Sequence, residues 1–321
     1  MTRRSSLAGL FPLWTVVVAV ATATAISGRF ADHRQALDVT VTGSGPPVIL
    51  IPGLATTGKV WGDTVSRLRD RYQLHVLTLA GFGGPEPLDE PFLPRVASGI
   101  IEYVDEHDLD RPVLVGHSLG GFVAFLAASE APDRFGGVVA VDGVPFLPAL
   151  GDPAATAAAQ HERAQTMRRF YDSLDREQFL AQTAMALSGM VTAEADVERA
   201  RGWAAQTEPR AAGIAVAEMM TTDLRQRIAR ITSPVLLIGA LGAAPEAMRD
   251  SFRDAYRAQV AALPAARVVF AEKARHFVMV DDPAFFHATM ESFLTEALTS
   301  GASPARTRGE EERAGSSEGG R

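Results

Sequence analysis

The chain has 321 residues, 31 Lys and Arg against 38 Asp and Glu for a net charge of −7, 47% hydrophobic residues and no cysteine. That apolar share can build the core of one large domain, or of a domain with an insertion, and excludes a disordered chain. The absent thiol excludes disulfide scaffolds, Cys-ligated metal sites and cysteine nucleophiles, and an acidic balance with no basic stripe argues against a nucleic-acid partner.

In chain order, Arg3 and Arg4 precede a largely apolar run from Leu7 to Ile26, and no charged residue occurs between Ser5 and Gly28. A basic region ahead of an apolar one is the layout of a secretory signal, and Ala23-Thr24-Ala25 supplies small residues where a signal peptidase reads them. Residues 1–25 are therefore expected to be a signal peptide cleaved near Ala25 or an uncleaved membrane anchor, since about 20 apolar residues also span a bilayer. A buried amino-terminal helix is the third reading. Either of the first two puts the domain outside the cytoplasm, secreted, periplasmic or attached to the membrane through this segment.

From Ala36 to Thr299 short apolar runs alternate with longer amphipathic ones, the pattern of parallel strands joined by helices. Strands are expected at 48–51, 74–79, 112–115, 138–141, 234–238 and 267–270, and helices at 60–70, 94–107, 119–129, 245–263 and 283–298. The alternation breaks once. Residues 145–231 hold no strand-like run and are rich in Ala, Gln, Arg and Met, so they read as a helical cap inserted into a core of 30–144 and 232–299. Within the insertion, Met167, Phe170, Tyr171 and Leu174 fall at i, i+3, i+4 and i+7 and make one apolar face. Trp203, Met219 and Met220 are candidates for substrate contact, and Asp223 reads as a helix N-cap. Residues 300–321, mostly Gly, Ser, Arg and Glu, are expected to be a disordered tail.

Gly116-His117-Ser118-Leu119-Gly120 lies between a predicted strand and a predicted helix, the context a G-x-S-x-G nucleophile elbow requires. Such a turn exposes the serine at the carboxyl edge of the sheet on strained backbone, with glycines leaving room for close packing. A serine hydroxyl needs an adjacent base. His276, in the loop between the last predicted strand and the last helix, is placed to reach the same edge. His75, His107, His117 and His287 fall within or at the ends of elements and read as packing or surface histidines. Two amides are candidates for an oxyanion hole: that of Leu119, at a helix start, and that of Leu54, in the Pro52-Gly53 turn.

Together these residues resemble the α/β-hydrolase superfamily, in its small-molecule esterase, haloperoxidase and dehalogenase branch, over roughly residues 39–298. The resemblance rests on Pro52-Gly53, Ala80-Gly81-Phe82-Gly83, the elbow, Val141-Asp142-Gly143, and His276-Phe277 followed by Asp281-Asp282-Pro283. It implies an α/β fold with a mostly parallel sheet flanked by helices, a helical cap after the sixth strand, and a Ser, His and acid triad. Ser118 departs from the dehalogenases and epoxide hydrolases, which carry aspartate there. The acid departs from the commonest pattern, because the loop after the strand 234–238 reads Gly239-Ala240-Leu241-Gly242-Ala243-Ala244 without a carboxylate. Asp142, at a strand end from which some members supply the acid, takes the role; a Ser–His dyad, another acid, or Glu246 are the alternatives.

The resulting expectation is an exported serine hydrolase acting through an acyl-enzyme on a small carboxylic ester, without a cofactor. Its oligomeric state is left open. Perhydrolase or haloperoxidase, lactonase and carbon–carbon hydrolase activities reuse the same triad. A non-catalytic ligand-binding protein on this scaffold is the reading from a different class.

Overall fold

The computed structural model describes residues 33–300. Seven strands form one sheet: β1 (Leu37–Thr42), β2 (Pro47–Ile51), β3 (Gln73–Leu79), β4 (Val113–His117), β5 (Gly137–Val141), β6 (Val235–Ala240) and β7 (Arg267–Ala271), in the order β1-β3-β2-β4-β5-β6-β7. Every neighbouring pair is parallel except β1 with β3. The helices are α1 (His33–Ala36), α2 (Gly62–Leu68), α3 (Phe92–Glu106), α4 (Leu119–Glu130), α5 (Ala157–Ser173), α6 (Arg176–Met190), α7 (Glu194–Ala204), α8 (Pro209–Thr221), α9 (Arg249–Gln259), α10 (Val278–Asp281) and α11 (Pro283–Ser300).

The six strands expected from apolar runs are present, and for the central ones the reason is burial on both faces. Val48 to Ile51 of β2 and Val138 to Val141 of β5 have no exposed surface, as parallel strands covered by helices on each side require. One face packs on α3 and α4 through Val96, Ile100, Phe122 and Phe125. The other packs on Trp61 and, from α11, Phe286, Met290 and Leu294. Strand β1 was not expected. It is an antiparallel edge strand whose residues after Leu37 are partly or fully exposed, so its sequence LDVTVT shows no continuous apolar run. Counted along the described residues, the helical insertion follows the fifth strand, β5, and not the sixth, because the described sheet has seven strands.

Between β5 and β6 lie the helices α5 to α8 and no strand. Thr156 caps α5 by accepting from the Ala159 amide, and Asp175 with Gln178 forms a capping box at α6, which supplies partners for amides the helix cannot satisfy itself. The first turn of α3 is capped from the insertion: Glu218 of α8 accepts from the amides of Phe92 and Leu93, both at 2.7 Å. Pro91, at the N-cap position, has no side-chain oxygen for the task. Asp223 is not a helix N-cap. It accepts from the Arg225 amide at 3.0 Å and pairs with the Arg225 guanidinium, closing a local turn. The expected helix 60–70 is a 3₁₀ turn, Gly58–Trp61, running into α2, and 245–263 is a 3₁₀ turn, Glu246–Met248, running into α9.

No helix among the described residues is long and apolar enough to cross a membrane. The expected signal or anchor at 1–25 and the tail beyond Ser300 lie outside the described residues.

Candidate active site

The turn from β4 to α4 carries Ser118 at φ 53°, ψ −117°, a conformation that costs a non-glycine residue on the order of 1–3 kcal/mol. The surroundings hold it there. The Ser118 amide donates to Val141 O at 2.9 Å. The elbow glycines are required by contact: a Cβ on Gly116 would lie 2.1 Å from Gly120 O, and one on Gly120 2.3 Å from Ile51 O. Ser118 is half-buried and opens into a cavity of about 380 Å³ that His276 also lines.

Asp142, the first residue after β5, also has positive φ, 48°, and its amide donates to Ile238 O at 2.8 Å. Its side chain is only 10% exposed and its oxygens are divided. Oδ2 accepts from His276 Nδ1 at 2.6 Å, while Oδ1 accepts from the Ala240 amide at 3.0 Å and from the Tyr256 hydroxyl. Because a carboxylate only accepts, Nδ1 carries a proton, and in the neutral ring Nε2 is left with a free lone pair, the tautomer a general base needs. Glu246 sits exposed in the 3₁₀ turn before α9. Among the described residues Ser118 Oγ has no hydrogen-bond partner; hydrogen bonds of this kind commonly tighten only when substrate is bound.

Leu54 lines the same cavity, half-buried, and Leu119 is the first residue of α4. Neither amide donates to a backbone carbonyl among the described residues. Two free N–H groups near one serine are the raw material of an oxyanion hole.

The sequence reading missed three supports. His117, fully buried, donates Nε2–H to the His276 carbonyl at 3.1 Å, and its ring lies 4.7 Å from the His276 ring. Burial, reinforced by the nearby His276, pushes its pKa well below the ordinary histidine value, so it stays neutral. Asp281 ties the His276 loop to the insertion: it accepts from the Arg275 amide at 2.8 Å, and from the Thr192 amide and hydroxyl at 2.9 and 2.8 Å. Tyr256 donates to Asp142, and burial pushes its phenol well above the usual tyrosine range, with the Asp142 charge adding to the effect.

Helices α5, α6 and α8 wall the cavity with Phe170, Tyr171, Phe179, Leu187, Val216 and Met219. Of the three expected substrate contacts, the structure brings only Met219 to this wall. Trp203 is buried against Phe277, ring centroids 6.3 Å apart, beneath the Arg199 guanidinium, and Met220 is buried away from the wall. Helical spacing selects the apolar face of an insertion but not the part of it left open. Among the described residues no Asp, Glu, Lys or Arg side chain lines the cavity. Among the described residues no group of three or more His, Asp and Glu side chains is arranged to hold a metal ion.

A model of the alpha/beta hydrolase family matches residues 48–289. The pimeloyl-[acyl-carrier protein] methyl ester esterase of Vibrio vulnificus is 27% identical over 262 residues, which is 78% of this chain and 95% of that protein. The enzyme of the same name from Aeromonas hydrophila is 29% identical over 265 residues, 78% of this chain and 96% of that protein. Among solved structures, a bromoperoxidase from Bacillus anthracis superposes with a TM-score of 0.68 at 22% identity, over 83% of this chain and 98% of that one. That last likeness is one of fold.

Proposed function

The chain belongs to the alpha/beta hydrolase family, and from that premise we propose that it is an exported serine esterase cleaving small, uncharged carboxylic esters with an apolar chain. The observation that carries the reading is the 2.6 Å contact between His276 Nδ1 and Asp142 Oδ2 beside a cavity that Ser118 opens into. In this reading His276 Nε2 takes the hydroxyl proton as Ser118 Oγ attacks the ester carbonyl, and the Leu54 and Leu119 amides donate to the oxyanion. The tetrahedral adduct collapses to an acyl-enzyme as His276 hands its proton to the departing alcohol. Water, activated by the same imidazole, then frees the acid. Asp142 orients the ring and balances the imidazolium.

The cavity wall supports the substrate class. An ionised substrate group would lose its water there without meeting an opposite charge. The two relatives are named as methyl ester esterases, which agrees with a carboxylic ester substrate. Export rests on the sequence alone, on the basic-then-apolar order of residues 3–26. Either a mature chain beginning near Ile26 or a membrane-attached form is expected outside the cytoplasm. Full-length protein free in the cytosol would refute that part.

A fluorophosphonate probe followed by an ester panel tests the activity. Labelling of Ser118 is expected, with hydrolysis of neutral apolar esters well ahead of esters bearing a carboxylate on the acyl chain. A folded protein that neither labels nor hydrolyses any member of the panel overturns the reading and favours a binding role.

A further inference from the structure

The carboxylate that faces His276 is itself gripped from behind, by a residue on the helix that follows the loop without a carboxylate. Tyr256 points inward from α9, 4% exposed, and its hydroxyl donates to Asp142 Oδ1. The polar residues on the other faces of α9, Asp250, Arg253, Asp254 and Arg257, pair among themselves or with Glu272 at the surface. The inward face carries two hooks: Tyr256, and Gln259, which bonds the Phe146 amide and carbonyl at 3.0 and 2.9 Å. The Tyr256 ring reaches Asp142 across Gly239 of β6, where a Cβ would lie 2.9 Å from Tyr256 Cδ2. Phe270 meets the ring edge-on at 6.1 Å. Gly239, Phe270 and Tyr256 thus form a fitted passage from α9 to the acid, and the neighbouring Ala240 amide reaches the same oxygen.

We propose that Tyr256 is a positioning residue of the Ser118–His276–Asp142 site, its hydroxyl fixing the Asp142 carboxylate toward His276 and taking up part of that carboxylate's charge. The proposal rests on the esterase reading. Two donors on Oδ1 stop the carboxylate turning, so Oδ2 keeps its line to Nδ1. They also draw charge away from Oδ2. Removing the phenol hydroxyl leaves more negative charge facing the ring and favours its protonated form. The other titratable groups facing this cluster are His117, kept neutral by burial, and the guanidinium groups of Arg253 and Arg257, which lie over the Phe270 ring.

The test compares the full chain with Tyr256→Phe and with 3-fluorotyrosine placed at 256, whose more acidic phenol donates more strongly. With a neutral ester, Tyr256→Phe is expected to lower kcat about tenfold, the worth of one hydrogen bond to a charged group, with KM changed less than about twofold. The acid limb of kcat/KM is expected to move up by about half a pH unit, and the fluorotyrosine protein's limb to move down. A merely structural tyrosine would change thermal stability and leave both limbs in place, and unshifted limbs overturn the proposal. If Tyr256→Phe does not fold, the fluorotyrosine protein alone decides by the same criterion. A wild-type protein that fluorophosphonate does not label overturns the esterase reading, and this inference with it; a labelled wild type with unshifted limbs overturns this inference only.

Discussion

At Ser118 strain and chemistry share one turn: the same turn that holds Ser118 at positive φ starts α4, whose first amide, that of Leu119, has no helical partner. Ser118→Ala is therefore expected to keep the fold and its melting temperature while removing fluorophosphonate labelling and lowering kcat by about 10⁴ or more. Asp142→Asn is expected to cut kcat by a similar factor at neutral pH, since an amide cannot balance the imidazolium and favours the wrong tautomer. Glu246→Gln, at an exposed turn, is expected to leave kcat within about twofold; near-full activity in Asp142→Asn would instead mean that His276 works in a dyad or that another acid reaches it. Ser118 and His276 were legible because each stands beside an apolar run that fixes its place on the sheet edge. The pairing of Asp142 with His276 was legible through the carboxylate missing after β6 together with the family resemblance. Tyr256 was not, because nothing in a helical pattern tells which inward polar residue will meet a carboxylate more than 100 positions away.

Among the elements, burial decides what could be read in advance. β2, β4, β5 and β6 are covered on both faces and show as apolar runs, whereas β1 lies at the edge with Val41 47% exposed and shows as alternating residues of no distinct class. The start of α3 was placed at residue 94 because its cap is not local: the partner of its first amides comes from α8, over 120 residues on. That bridge gives an element-scale expectation. Glu218→Ala leaves two buried helix amides without an acceptor, at a cost of about 1–2 kcal/mol. Glu218→Gln keeps one acceptor oxygen and should recover part of it. Urea unfolding of the two variants measures this, and equal stability of Glu218→Ala and wild type would show that water caps the helix as well as the carboxylate does.

Across the whole molecule, several histidines are folded in as neutral rings, and this sets how the protein meets acid. His75, 2% exposed between Tyr103 and Gln73, has its pKa pulled down to about 4 by burial first and by His107 second. Burial likewise lowers His117 strongly and His287 less so, the latter with Arg67 contributing. For a base whose folded pKa lies below its unfolded one, the contribution to stability is fully present above the unfolded value near 6.5. It is lost as pH falls toward the folded value, because only the unfolded chain takes up the proton. Melting temperature should therefore be flat from about pH 8 to 7 and fall steeply between about 6.5 and 4, above the range in which most carboxylates titrate. The His75 shift alone corresponds to on the order of 3 kcal/mol if it is fully expressed. His75→Gln removes that titration, so the variant is expected to be less stable at pH 8 yet to lose less on acidification, the two denaturation midpoints converging by pH 4.5. Parallel curves for the two proteins across that interval would mean that the folded ring takes up its proton as readily as the unfolded one, in spite of its burial.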